Sequence, residues 1–213
     1  MDIPAILKST LVKIGRTIEF LITGQSEFKI TTSEFEVNDK PNVRDLTVAK
    51  KLLEEMKSLL AGQYGIKVTY PVVIELIKEQ RIWEYSFSWC AGSLGKYRSH
   101  LMFDEKYHMV YILSGLKRER FKAILAHELT HAFLYEKKLF TENKSFREAM
   151  ARWVEYRILL SEGEKHEAGK LLKIKSWMYG RGIVKILALE KKVGREHLVA
   201  HLLSLREQTL REV

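Results

Sequence analysis

The run Ala123-Ile124-Leu125-Ala126-His127-Glu128-Leu129-Thr130-His131-Ala132-Phe133-Leu134 decides how the rest of the chain is read. It is apolar around most of its circumference, which predicts a helix with little solvent around it. Two histidines stand four apart, with a glutamate directly after the first. Residues at that spacing lie one above the other on a helix, so two imidazoles can share one cation. Glu128 is one step round from His127 and can approach the ion's open position without being a ligand, as a general base must. Zinc lowers the pKa of a bound water towards about 7, so a carboxylate can accept its proton near neutrality. In a chain of this composition the H-E-x-x-H pattern arises by accident about 0.02 times. Two histidines and a glutamate are costly to bury on an apolar helix without a common partner. The residues therefore predict a metal site.

A third protein ligand is required. Leu134 and Lys137 stand where the metzincin continuation needs Gly and His, which excludes that class. The following helical stretch offers Glu148 and Glu155, seven apart and so on nearly the same face. Glu148 is nearer the turn joining the two helices, but Ser145-Phe146-Arg147-Glu148 also reads as a capping box that would fold its carboxylate back onto the helix start. Glu155 also reads as part of a solvated face, paired with Arg152. Spacing alone leaves both open. His197 and His201 form another i, i+4 pair, without a glutamate between them, and fit polar positions on an amphipathic helix.

Working outward, the helical period continues over 118–138, 145–162, 165–176, 181–192 and 195–208. Upstream, Ser99 to Phe103 and Tyr107 to Leu113 flank a polar turn and read as a hairpin; Trp83 to Trp89 forms a further aromatic, β-prone run. Ile66 to Tyr70 alternates as a strand, and residues 72–80 fit either strand or helix. A helix is expected over 43–61 with Gly62 as its stop, and another over 4–22; residues 28–41 lean towards β-structure and end in a turn at 38–42. The order predicts an α+β fold: a small antiparallel or mixed sheet on the motif helix, then a mainly helical C-terminal part. Residues 1–65 read as a segment of unknown role and 66–213 as one domain.

With 213 residues, 46% of them hydrophobic, the chain can bury a core without disulfides. The single cysteine, Cys90, excludes an intramolecular disulfide and a cysteine-only metal cluster, and fits a reducing compartment. Lys8, Lys13, Arg16 and Glu19 interrupt any apolar leader or membrane span near the start, so a cytoplasmic location without membrane attachment is expected. Abundant Lys and Glu with scarce Asn and Gln fit a thermophile. The net charge of +9 permits a nucleic-acid partner, although basic residues are interleaved with Glu along the whole chain, as on a solvated basic surface.

The stretch from Gly115 to Tyr156, GLKRERFKAILAHELTHAFLYEKKLFTENKSFREAMARWVEY, resembles the peptidase domain of the ubiquitin-activated, LIM-domain-containing peptidases that regulate organ size in plants. The likeness is specific at Ile124 to Ala132 and weaker at Met178-Tyr179-Gly180-Arg181-Gly182 and from Leu187 to Leu202, within residues 66–213. The larger grouping it implies is the gluzincin clan, whose core the archaeal minigluzincins share. The resemblance implies a zincin-like fold, Zn2+ held by His127, His131 and Glu148, and Glu128 as the base of peptide-bond hydrolysis. By the same analogy Tyr107 to Leu113 is the sheet edge over the cleft, and Tyr179 is the candidate donor to the developing oxyanion, with His166, His197 and His201 as weaker alternatives. Lys117 and Arg147 depart from the pattern, where the family has Pro and Glu. The chain carries neither LIM fingers nor ubiquitin-interacting motifs, so ubiquitin dependence is not implied. The Gly-Ala-Met-Glu-Asn exopeptidase signature is absent, which leans towards an endopeptidase acting on unfolded or extended peptides. The alternative is a non-catalytic or latent zincin-fold protein whose basic surface binds nucleic acid or a protein partner.

Overall fold

The computed structural model describes residues 42–78, 94–102, 105–139, 143–173 and 180–211. The expectations for residues 1–41, for Trp83 to Trp89, for Cys90 and for Tyr179 lie outside them. The described residues belong to one compact unit, Asp39–Glu79 with Leu94–Val213. In chain order its elements are α1 (Leu46–Tyr64), β1 (Val72–Ile77), β2 (Gly95–Met102), β3 (Glu105–Leu113), α2 (Arg118–Glu136), α3 (Lys144–Ser161), α4 (Lys165–Lys173), α5 (Gly180–Val193) and α6 (Arg195–Arg211). This is the expected α+β order, with a small mixed sheet and mostly helix.

Helix α1 is started by Asp45, whose carboxylate accepts from the backbone N–H groups of Thr47 and Val48. It runs through Gly62 rather than stopping there, because Leu60 and Tyr64 continue the buried face. The stop is Gly65, at φ +66°, the left-handed conformation that glycine adopts most readily. The run Ile66 to Tyr70, expected as a strand, joins no sheet. Three of its backbone donors are satisfied otherwise: Ile66 N–H by Leu60 C=O, and the N–H groups of Thr69 and Tyr70 by the Glu136 carboxylate. Residues 72–77 resolve as strand β1.

The three strands lie in the order β1-β3-β2. Strand β1 runs parallel to β3, from Val72 opposite His108 to Ile77 opposite Leu113. Strand β2 pairs antiparallel with β3, from Gly95 opposite Ile112 to Met102 opposite Glu105, as the hairpin reading required. Strand β3 is therefore the central strand and not the expected edge, because β1 occupies its second side. Among the described residues, both β2 and β3 pack against the motif helix, and β2 is the edge strand of the two.

Helix α2 packs against α1, α3, β2 and β3. That surrounding explains its apolar circumference: Phe121, Leu125, Ala126, Leu129 and Phe133 are all buried. Helix α3 carries Trp153 into the core, edge-on to Tyr64 at 5.5 Å. The Trp153 indole N–H donates to Glu190 of α5, and Arg157 and Arg195 pair with the same buried carboxylate. Helices α3, α5 and α6 are thus joined through one acid. No helix among the described residues is long and apolar enough to cross a membrane.

Candidate metal centre

His127 and His131 project from successive turns of α2 with their Nε2 atoms 3.2 Å apart. Glu148, in the first turns of α3, brings Oε2 to 3.8 Å from His127 Nε2 and Oε1 to 3.6 Å from His131 Nε2. One ligand atom from each of the three residues lies within 4.8 Å of the others. Two donors, each about 2.0–2.1 Å from a tetrahedral zinc, stand about 3.3 Å apart. The imidazole pair matches that spacing and the Glu148 oxygens stand a few tenths of an ångström wider, so the three residues could hold a metal ion.

The capping-box reading of Glu148 is corrected. Asn143 takes the N-cap position of α3, its side chain accepting from Phe146 N–H at 2.9 Å. Glu148 is thereby released from the helix start and faces α2.

Glu155, one further turn pair along α3, is not on a solvated face. It is 1% exposed and holds the far side of His127, with Oε2 at 3.0 Å from Nδ1. A carboxylate only accepts, so the Nδ1–H of His127 donates to it and Nε2 is the atom that faces His131 and Glu148. Arg152 pairs with Glu155 at 2.8 Å and Arg120 of α2 at 3.3 Å. Burial pushes the Glu155 carboxyl up, but the charge of Arg152, the hydrogen bond from His127 and the charge of Arg120 override it, leaving a pKa of about 2. Behind the histidine, then, stands a fixed anion.

Burial holds His131 well below the usual imidazole range, helped by the charges of His127, Arg147 and Arg152. A neutral ring with a free lone pair is the form a metal takes. Glu128 is also buried, and burial, reinforced by Glu148 and Glu155 against the pull of His127 and Arg152, raises its carboxyl to about 7. A carboxylate poised there exchanges a proton near neutrality.

Reading the sequence missed Gly95, which passes so near Glu128 that an added Cβ would lie 2.8 Å from its Oε1 and 2.5 Å from Ile124 Cγ2. Gly95 opens β2 and lies outside the run Ser99 to Phe103 read as strand, so the usual signal of a close approach, a glycine within a strand, was not there to be read. Reading the sequence also missed a buried polar chain beside the site. His108, fully buried on β3, donates from Nε2 to Glu136 at 2.9 Å and accepts at Nδ1 from the Tyr97 hydroxyl at 3.1 Å. The Tyr97 ring in turn stacks beside His131, centroids 6.4 Å apart and planes 23° from parallel.

The structure thus brings His127, Glu128, His131 and Glu148 together and adds Glu155 behind them. His166 and His197 are exposed and His201 is half-buried on α6; none joins the cluster. Tyr179 lies outside the described residues. The chain matches no protein-family model, no curated protein and no solved structure.

Proposed function

We propose that the protein is a zinc-dependent peptidase of zincin-like, gluzincin type, with His127, His131 and Glu148 as metal ligands and Glu128 as general base. The observation that carries the reading is the convergence of two imidazole nitrogens 3.2 Å apart with a carboxylate from the next helix, while the buried Glu128, next to His127 in the chain, is not one of the three converging residues.

Zinc bound there supplies a Lewis acid and acidifies water. The chain's own groups do the rest. Glu155 fixes His127 in the tautomer that offers Nε2. Glu128 accepts a proton from the attacking water and passes it to the departing amine nitrogen, a shuttle suited to a carboxyl near neutrality. The bare backbone at Gly95 leaves room for the Glu128 carboxylate in this position, where a Cβ would displace it. The substrate class is an extended or unfolded peptide, cut internally.

Two measurements test this. Purified protein should carry one zinc per chain, and His131→Ala should carry little. Zinc-loaded protein should hydrolyse an unfolded protein, and Glu128→Gln should abolish turnover while retaining zinc. Full activity in Glu128→Gln, or unchanged metal content in His131→Ala, would overturn the assignment.

A further inference from the structure

Tyr135 follows His131 by one helical turn, so the sequence 127, 131, 135 continues the metal-site face of α2 towards its C-terminal end. The buried positions on this helix are almost continuous up to Leu134, yet the Tyr135 ring is 46% exposed. It is not isolated. Tyr97 lies 6.4 Å from it at 59°, and the buried ring of His108 meets it edge-on at 6.1 Å. Tyr97 is itself the ring stacked beside His131. The two rings meet at an angle beside His131, and the re-entrant angle between them is a shallow aromatic notch on the surface there.

The notch is held before anything enters it. The Tyr97 hydroxyl is tied to His108, His108 to Glu136, and Glu136 to Thr69 and Tyr70. A ring already fixed, as Tyr97 is, loses little freedom on contact. One helical turn rises about 5.4 Å. An extended peptide advances about 3.3 Å per residue, so a ring at that distance is reached by a side chain one or two residues from a carbonyl at the metal.

Resting on the peptidase reading, we propose that Tyr97 and Tyr135 form a subsite for a bulky apolar or aromatic substrate side chain, and that Tyr135 sets specificity there. Offset and edge-to-face ring contacts favour a planar occupant over a small or charged one.

The test uses zinc-loaded full-length protein and blocked peptides identical except for Phe, Leu, Ala or Lys at each residue near the cleaved bond. Phe should be selected over Ala at one such position, and Tyr135→Ala should reduce the Phe-to-Ala ratio of kcat/KM by about tenfold or more. Tyr135→Phe should keep the ratio. A ratio untouched by Tyr135→Ala, in an enzyme that still turns over, would overturn the subsite and leave the peptidase reading standing. If the wild-type protein cleaves none of the peptides, the peptidase reading falls, and binding of fluorescent Phe and Ala peptides decides the notch. Stronger binding of the Phe peptide, lost in Tyr135→Ala, supports it; equal or absent binding refutes it.

Discussion

Replacing Glu155 with glutamine removes one charge and almost no volume from behind His127. The Nδ1–H of His127 keeps an acceptor, but it exchanges a charge-assisted hydrogen bond for a neutral one. Such bonds differ by about 1–2 kcal/mol. The basicity of the ring and the fixity of its orientation both fall, and loss of a partner of this kind typically weakens metal binding about 10–100-fold. Arg120 and Arg152 lose their common anion; each side chain is about a quarter exposed, but Arg120 Nη1 and Arg152 Nε are buried, so some stability goes with the charge while the isosteric glutamine keeps the fold. Zinc affinity measured by competition with a chromogenic chelator at neutral pH should fall by that factor, with helix content by circular dichroism unchanged. Zinc binding within about twofold of wild type would refute the claim that Glu155 orients His127.

Gly95→Ala should reduce kcat by about tenfold to a hundredfold by displacing Glu128, while zinc content stays at the wild-type level; steady-state kinetics with metal analysis checks this. Glu190→Ala strands the Trp153 indole N–H and Arg157 in the interior. Loss of one partner of a buried pair costs about 3–5 kcal/mol, and at about 2–4 °C per kcal/mol Tm should drop by about 6–20 °C in calorimetry. Burial acts to raise the Glu136 carboxyl, but hydrogen bonds from Thr69, Tyr70 and His108 hold it below the usual carboxylate range. A depressed folded pKa gives stability that is fully present above the unfolded value of 4.5 and is lost as pH falls through the folded one. The gap in urea midpoint between wild type and Glu136→Gln should accordingly be wide near about pH 6 and shrink near about pH 3.

The motif helix was legible because its signals are local: four-residue spacing places both histidines, and apolar neighbours report burial. The hairpin was legible for the same reason, two β-prone runs across a short polar turn. What failed depends on partners distant in the chain. Ile66 to Tyr70 has a strand's alternation, but its donors go to Glu136 near the far end of α2, and nothing nearby announces that. Tyr107 to Leu113 could be read as strand but not as central strand, because the parallel partner β1 came from a stretch whose period was ambiguous. The box at Ser145 to Glu148 obeys a real local rule, yet Asn143 stands two residues earlier and takes the cap first. Glu155 shows the limit most plainly. Its place on the Glu148 face was readable, but its role required knowing which nitrogen of His127 faced which helix.

Helix α5 supplies none of the ligands, but its Gly182 leaves room for α3 where a single added carbon would sit 2.6 Å from the Ala149 Cβ. Ala149 is the residue after Glu148. Any side chain at 182 acts as a wedge on the neighbouring backbone and shifts the carboxylate by tenths of an ångström, about the tolerance of a coordination bond. This one bare position thus sets how near α5 comes to the helix that carries Glu148, and with it the spacing of the proposed ligand set, from behind.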